Sequence, residues 1–226
     1  MSELIDYQFA TGVATLTLNN GKVNAISSAL VEAFNHALDR AETDRAIVVF
    51  TGKNGILSAG YDLKEMTSDA QNAKQLVTAG STLARRLLAH PYPVIAACNG
   101  HAVAKGAFLL LAADYRLGVQ GAFSIGLNEV QIGITMHQVG LELARERLSN
   151  TAFSRAVINA EMFEPHAAVA AGFLDQAIEP AAFDAELALV IEQFKKLNMT
   201  AHRQTKLKAR QALLARLDQA IALDQL

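Results

Sequence analysis

Short apolar runs alternate with longer segments of helical period through the first half of the chain, and this alternation constrains the fold more than any other feature. Val13–Leu18 has the two-residue alternation of a half-buried strand and is followed by the turn signal Asn19-Asn20-Gly21, so a hairpin-like element opens the chain. Leu30, Phe34, Ala37, Leu38 and Ala41 then fall at helical spacing behind Ser27, a residue able to cap a helix. Residues 46–51 read as a buried strand, and the glycine-bearing loop 52–60 leads to a helix over 71–89 with Leu76, Leu83 and Leu87 on one face, closed by Pro91 and Pro93. Further strands are expected at 94–98, 115–119 and 122–125, with a buried helix at 107–113 and a mainly helical pattern from Gln138 onward. Such repeated units imply an α/β class, in which functional loops gather where strands give way to helices.

At 226 residues, with no internal repeat, low-complexity run or linker, the chain fits one large domain. A net charge of −2 argues against general nucleic-acid binding, which relies on many contacts from Lys and Arg to phosphate. The longest apolar run, 107–113, falls far short of the ~20 residues that span a bilayer. Acidic residues stand where a signal peptide would carry positive charge, so a cytoplasmic protein with no membrane partner is expected. Cys98 is the single cysteine and ends an apolar strand, which suits a small buried core residue.

Several chemistries lack their motifs. Neither G-x-G-x-x-G nor G-x-x-x-x-G-K-[ST] occurs, which lowers dinucleotide and P-loop nucleotide binding. Gly121, Ser124 and Gly126 form G-x-x-S-x-G, one residue too long for a hydrolase nucleophile elbow. The six histidines show no paired metal-ligand spacing, so no metal is expected.

Two glycine-bearing loops remain; a strand followed by such a loop and a helix start can point the unpaired N–H groups of that helix into a cavity. Ala59-Gly60-Tyr61-Asp62-Leu63 and 99–106 (Asn-Gly-His-Ala-Val-Ala-Lys-Gly) resemble the two oxyanion-hole segments of the crotonase (enoyl-CoA hydratase/isomerase) family. The resemblance continues in Lys22-Val23-Asn24-Ala25-Ile26, in 112–116, in Gly126-Leu127-Asn128-Glu129 and in 168–174, covering most of the chain in the family's order. It implies a ββα spiral core over about 1–180 with C-terminal helices over about 181–226, all in one domain. It also implies a homo-oligomer, a trimer or hexamer, to which the stripe Leu207, Leu214, Leu217 and Ile221 would supply an apolar contact.

By the same resemblance the backbone N–H groups of Tyr61 and Lys105 hold the oxygen of an acyl-CoA thioester. Lys22, Asn24, Ala25, Ile26, Ser58, Ala59, Gly60, Asp62, Leu63, Gly106 and Phe108 would line the substrate. Coenzyme A would enter as part of the substrate, with no separate cofactor. Lys105 stands where the family usually carries glycine, so a positive φ there would strain it. Family hydratases use two glutamates; here Glu129 matches the second, while Phe108 takes the place of the first. Phenylalanine can neither ionise nor bind water strongly, so hydration loses a component. A single carboxylate can still carry a proton from C2 to C4, and the resemblance ranks an enoyl-CoA isomerase first. A hydratase or other crotonase-type reaction, and a catalytically silent acyl-CoA-binding protein, remain as alternatives.

Each residue also has a plainer reading. Glu129 fits a solvated loop acid or a helix-start residue, Tyr61 and Asp62 fit ordinary turn positions, and Lys22 fits a solvated hairpin charge. His137 is read first as a surface or core histidine and second as a residue approaching the site. Arg203, Lys206, Lys208 and Arg210 are read first as the solvated face of an amphipathic helix, with CoA-phosphate or subunit contact second.

Overall fold

The structure, a computed structural model, describes residues 4–53 and 55–225. The chain begins with β1 (Ile5–Ala10), β2 (Val13–Leu18), α1 (Ser28–Thr43), β3 (Ile47–Thr51), β4 (Ile56–Ser58), α2 (Leu63–Ser68) and α3 (Ala70–Ala89). It continues with β5 (Val94–Cys98), β6 (His101–Val103), α4 (Lys105–Leu111), β7 (Tyr115–Val119), β8 (Ile125–Gly126) and α5 (Gln138–Arg147). Next come α6 (Asn150–Val157), β9 (Met162–Phe163), α7 (Pro165–Ala171) and β10 (Gln176–Ile178), and then α8 (Phe183–Lys195), α9 (Met199–Ala209) and α10 (Gln211–Leu223).

Two sheets result, one ordered β1-β2-β3-β5-β7-β10 and the other β4-β6-β8-β9. Three successive strand pairs, β3/β4, β5/β6 and β7/β8, each give one strand to the long sheet and the next to the short one, and each leads into helix. That repetition is the ββα spiral. The central strands pair in parallel, whereas β1 with β2 and β8 with β9 run antiparallel.

β3 and β5 read as unbroken apolar runs because the long sheet is covered on both faces. Val48, Phe50, Val94, Ala96 and Cys98 face the main core, while the alternate residues Ile47, Val49, Ile95 and Ala97 face a second cluster completed by Phe183 and Val190 of α8. Cys98 is 1% exposed, its thiol donates to the Gly100 carbonyl, and burial pushes its pKa up to about 12. Among the described residues no helix is long and apolar enough to cross a membrane, and no three His, Cys, Asp or Glu side chains gather as metal ligands would.

Four local expectations change. The opening hairpin turns at Thr11-Gly12, before Val13–Leu18, with both residues at positive φ as a two-residue hairpin loop demands; Thr-Gly is a weaker sequence signal than the Asn-Asn-Gly that follows. The strand expected over 122–125 shrinks to Ile125–Gly126, because Phe123 stacks edge-on against His101 and the Ser124 N–H is taken by His101 Nδ1 at 2.9 Å. The basic stretch is not simply a solvated face: Lys206 is 7% exposed, and Lys206 and Arg210 hold Asp114 at 2.6 and 2.7 Å. The stripe of Leu207, Leu214, Leu217 and Ile221 packs into this chain's own core instead of standing free for a neighbour.

Candidate active site

β4 ends in a turn that presents the first candidate donor, the Tyr61 N–H. The Gly60 carbonyl accepts from the Ile26 N–H at 2.8 Å, and the Asp62 N–H donates to the Ile26 carbonyl at 3.0 Å. This bridge turns the intervening Tyr61 N–H away from Ile26, and among the described residues it has no acceptor. Gly60 sits at φ +105°, a conformation L side chains rarely adopt. Asp62 then caps α2, its carboxylate accepting from the Lys64 and Glu65 N–H groups at 2.8 and 3.3 Å. That cap explains a short helix which periodicity missed.

Lys105 is the first residue of α4, so its N–H belongs to the first turn that a helix leaves unpaired. The strain expected at Lys105 lies instead one residue earlier: Ala104 has φ +50° and ψ −121°, and Lys105 is helical. The two loops touch. A Cβ added at Gly60 would stand 3.0 Å from the Ala104 Cβ and 3.6 Å from the Lys105 nitrogen, which puts the Tyr61 and Lys105 amides a few ångströms apart. Gly106 allows this approach, since a Cβ there would lie 2.4 Å from the Ser58 carbonyl oxygen.

The residues behind the loops act as braces. Ser58 is fully buried; its hydroxyl donates to the Asn24 carbonyl at 2.7 Å and accepts from the Gly60 N–H at 3.1 Å. Asn24, at φ +46° and 1% exposed, spends its side-chain amide on the Ile56 carbonyl at 3.2 Å and its side-chain oxygen on the Asn20 N–H at 3.0 Å. The Ala59 N–H donates to the Val23 carbonyl at 3.0 Å, so the segment 22–26 runs alongside 56–61. Within that segment Ile26 is buried, Ala25 half-buried and Lys22 exposed; Leu63, beyond the turn, is exposed as well.

Glu129 follows β8 and is 8% exposed, so it is not a solvated loop acid. Its carbonyl accepts from the Ile132 and Ile134 N–H groups at 3.2 and 2.8 Å, which folds 129–134 into a compact turn, and its carboxylate Oε2 is buried without a partner. Burial raises its proton affinity, while its own backbone N–H and the Lys105 ammonium lower it. Tyr61 in turn has its pKa raised, by burial first and by Glu129 second. The Glu129 charge thus acts on Tyr61 and on Lys105, whose ammonium lies 5.7 Å from the centre of the Tyr61 ring.

Phe108 is fully buried and meets the His137 ring edge-on, with centroids 5.2 Å apart. His137 carries no hydrogen bond on its buried Nε2, and burial with the Lys105 charge pushes its pKa down to about 4, so it is a neutral imidazole against Phe108. α5 begins there, and its Gln138 and Val139 N–H groups are taken by the Asp224 carboxylate at 2.8 and 3.1 Å.

Sequence reasoning did not anticipate that cap, and it missed the Lys105 side chain, which is 1% exposed. A lone charge in the apolar stretch from Ala102 to Ala113 was the available signal. A separate concavity lined by Asn198, His202, Lys206 and Arg210 is built from other elements, over an Asp114 carboxylate already held by two cations.

Unpaired amides beside a buried carboxylate can stabilise an oxyanion and move a proton next to it. Comparison with known proteins agrees with that frame. An enoyl-CoA hydratase/isomerase family protein from Pseudomonas syringae is 64% identical, with a TM-score of 0.97 over 98% of this chain and 96% of that one. An apo enoyl-CoA isomerase of Mycobacterium tuberculosis is 37% identical, with a TM-score of 0.93 over 99% and 98% of the two chains. A probable enoyl-CoA hydratase of Bacillus subtilis is 36% identical over 126 residues, which span 54% of this chain and about half, 48%, of that relative. The enoyl-CoA hydratase/isomerase family model itself matches residues 8–226, and the chain accordingly belongs to the enoyl-CoA hydratase/isomerase, or crotonase, family.

Proposed function

We propose that the protein is an enoyl-CoA isomerase that moves the double bond of a 3-enoyl thioester to the 2,3 position. The Tyr61 and Lys105 N–H groups would receive the thioester oxygen as negative charge develops on it, an effect worth several kcal/mol in comparable sites, ~3–4 kcal/mol for a single donor. Glu129 would take a proton from C2, leaving a dienolate, and return it to C4, so that the carboxylate ends as it began. Coenzyme A enters as part of the substrate, and no separate cofactor takes part. Exposed Leu63, Ile132 and Ile134, in the segments that carry the site, offer apolar contact to the acyl chain.

The observation that carries this reading is the Glu129 carboxylate, buried, with Oε2 unpartnered among the described residues. A silent binder has no use for that costly arrangement. Phe108, fully buried where a second carboxylate would stand, favours isomerisation over hydration. The hydratase names among the relatives make hydration the second reading. Incubation with 3-enoyl and 2-enoyl CoA panels separates the two by their products. Glu129→Gln should lower isomerisation ~10²- to 10⁴-fold with acyl-CoA affinity nearly unchanged; full activity in that variant would remove Glu129 from the mechanism. We also propose a homo-oligomer, trimer or hexamer, which light scattering at micromolar concentration decides, a monomeric mass contradicting it.

A further inference from the structure

Gly80 stands in the middle of α3, a position where glycine is a costly choice and alanine the better helix former. Its neighbours supply the reason for it. A Cβ added at Gly80 would lie 2.3 Å from the Tyr61 hydroxyl oxygen and 2.8 Å from Tyr61 Cε1, so the Tyr61 ring rests directly on the α3 backbone. The same residue receives Lys105, whose side chain is 1% exposed: the ammonium donates to the Gly80 carbonyl at 2.6 Å and lies 5.7 Å from the centre of the Tyr61 ring. The side chains of the two candidate donor residues thus meet at one point of one helix.

α3 is in turn fixed to the rest of the fold. Arg86 donates to the Asn35 carbonyl at 3.0 Å and to the Asp39 and Glu42 carboxylates of α1 at 2.6 and 3.0 Å, and Arg85 holds the Asp218 carboxylate of α10 at 2.6 and 2.9 Å. The two loops have separate backbone partners: Gly60 and Asp62 bond to Ile26, whereas the Ala104 N–H donates to the Gly126 carbonyl at 2.9 Å. Those bonds set each loop against its own neighbour, and the contacts at Gly80 set both against a shared one. Burying a lysine ammonium on a backbone carbonyl is costly. An apolar side chain of similar length would fill the same space, so packing alone does not account for the lysine.

We propose that Gly80 and the Lys105 side chain are positioning groups that hold the Tyr61 and Lys105 N–H groups at the separation a single thioester oxygen requires, with α3 as their common support. This rests on the isomerase reading, which assigns those two amides to that oxygen. Two donors act together only when both lie at hydrogen-bond distance from one atom, and a misplacement of ~1 Å costs on the order of 10²-fold in rate.

Lys105→Met keeps the backbone N–H and removes a buried charge, so it should fold. Gly80→Ala drives a methyl against the Tyr61 ring while giving α3 a better helix former, so it should fold as well. The readout is the infrared carbonyl stretch of bound octanoyl-CoA labelled with ¹³C at the thioester carbon, because hydrogen bonds to that oxygen lower its frequency and packing elsewhere in the protein does not. The parent protein should show a lowered frequency, and each variant should lose about half of that shift, one donor of two being displaced. With a 3-enoyl-CoA substrate, kcat should fall ~10²-fold in both variants while KM changes little, since the donors act most on charge that develops after binding. A shift retained in full by either variant overturns the proposal, whatever happens to the rate or to the unfolding midpoint. A parent protein that binds octanoyl-CoA without any shift removes the oxyanion site itself, and the proposal with it. A parent that shows the shift but no isomerase activity loses only the assigned reaction, and the two variants still decide the role of Gly80 and Lys105.

Discussion

Ala104→Gly should stabilise the protein, although glycine is usually the destabilising choice. Ala104 is held at φ +50° and ψ −121°, outside the regions open to a residue with a Cβ. A sparsely allowed conformation of that kind costs ~1–3 kcal/mol. Glycine removes the cost but loosens the unfolded chain by ~0.4–1 kcal/mol. It also gives up one half-buried methyl, about half of the ~0.8 kcal/mol of a buried methylene. With mid-range values the balance is a gain of about 1 kcal/mol, which in a domain of this size raises the thermal midpoint by ~2–4 °C. The reverse exchange at the facing position should do the opposite: Gly60→Ala forces φ +105° on an alanine and sets its Cβ 3.0 Å from that of Ala104. In the double variant the Cβ contact is gone and the φ cost at 60 remains, so it should lie between the two single variants. Differential scanning calorimetry measures all three. A drop of several degrees for Ala104→Gly would mean that the loop is not strained there and that the placement of strain is wrong.

Two further outcomes follow from the packing. Gly106→Ala should cost ~1–3 kcal/mol by overpacking, since its Cβ would stand 2.4 Å from the Ser58 carbonyl; urea unfolding reads this directly, and an unchanged midpoint would show that α4 can move off β4 freely. Asp114→Asn should cost ~3–5 kcal/mol because it leaves the buried Lys206 and the half-buried Arg210 without their carboxylate. The two cations hold the Asp114 carboxyl below the usual carboxylate range against the opposing effect of burial. Its contribution is therefore present above the ordinary carboxylate pKa and is lost as pH falls through the lower folded value, so Asp114→Asn should also flatten the acid limb of stability against pH.

The alternation of apolar runs and helical stretches, the capping serine before α1 and the prolines after α3 were legible because each is a local property, set by residues a few positions apart. The two glycine-bearing loops were legible for the same reason, whereas Glu129 was singled out only by the resemblance of its segment to a known family. Tertiary structure alone decided which faces of β3 and β5 met which core, since a strand buried on both sides has no alternation to read. It alone turned the basic stretch around Lys206 into a buried ion cluster, because Asp114, the partner, lies 92 positions away in sequence. The strain moved from Lys105 to Ala104 for a related reason: which residue takes a left-handed φ depends on where α4 starts, and that start is fixed by its approach to Ser58 and Gly60. The Lys105 side chain shows the limit most plainly. Sequence placed a charge in an apolar segment, but only the packing of α4 against α3 buried its ammonium on the Gly80 carbonyl, 25 positions away, because burial is set by separation in space and not by neighbouring residues.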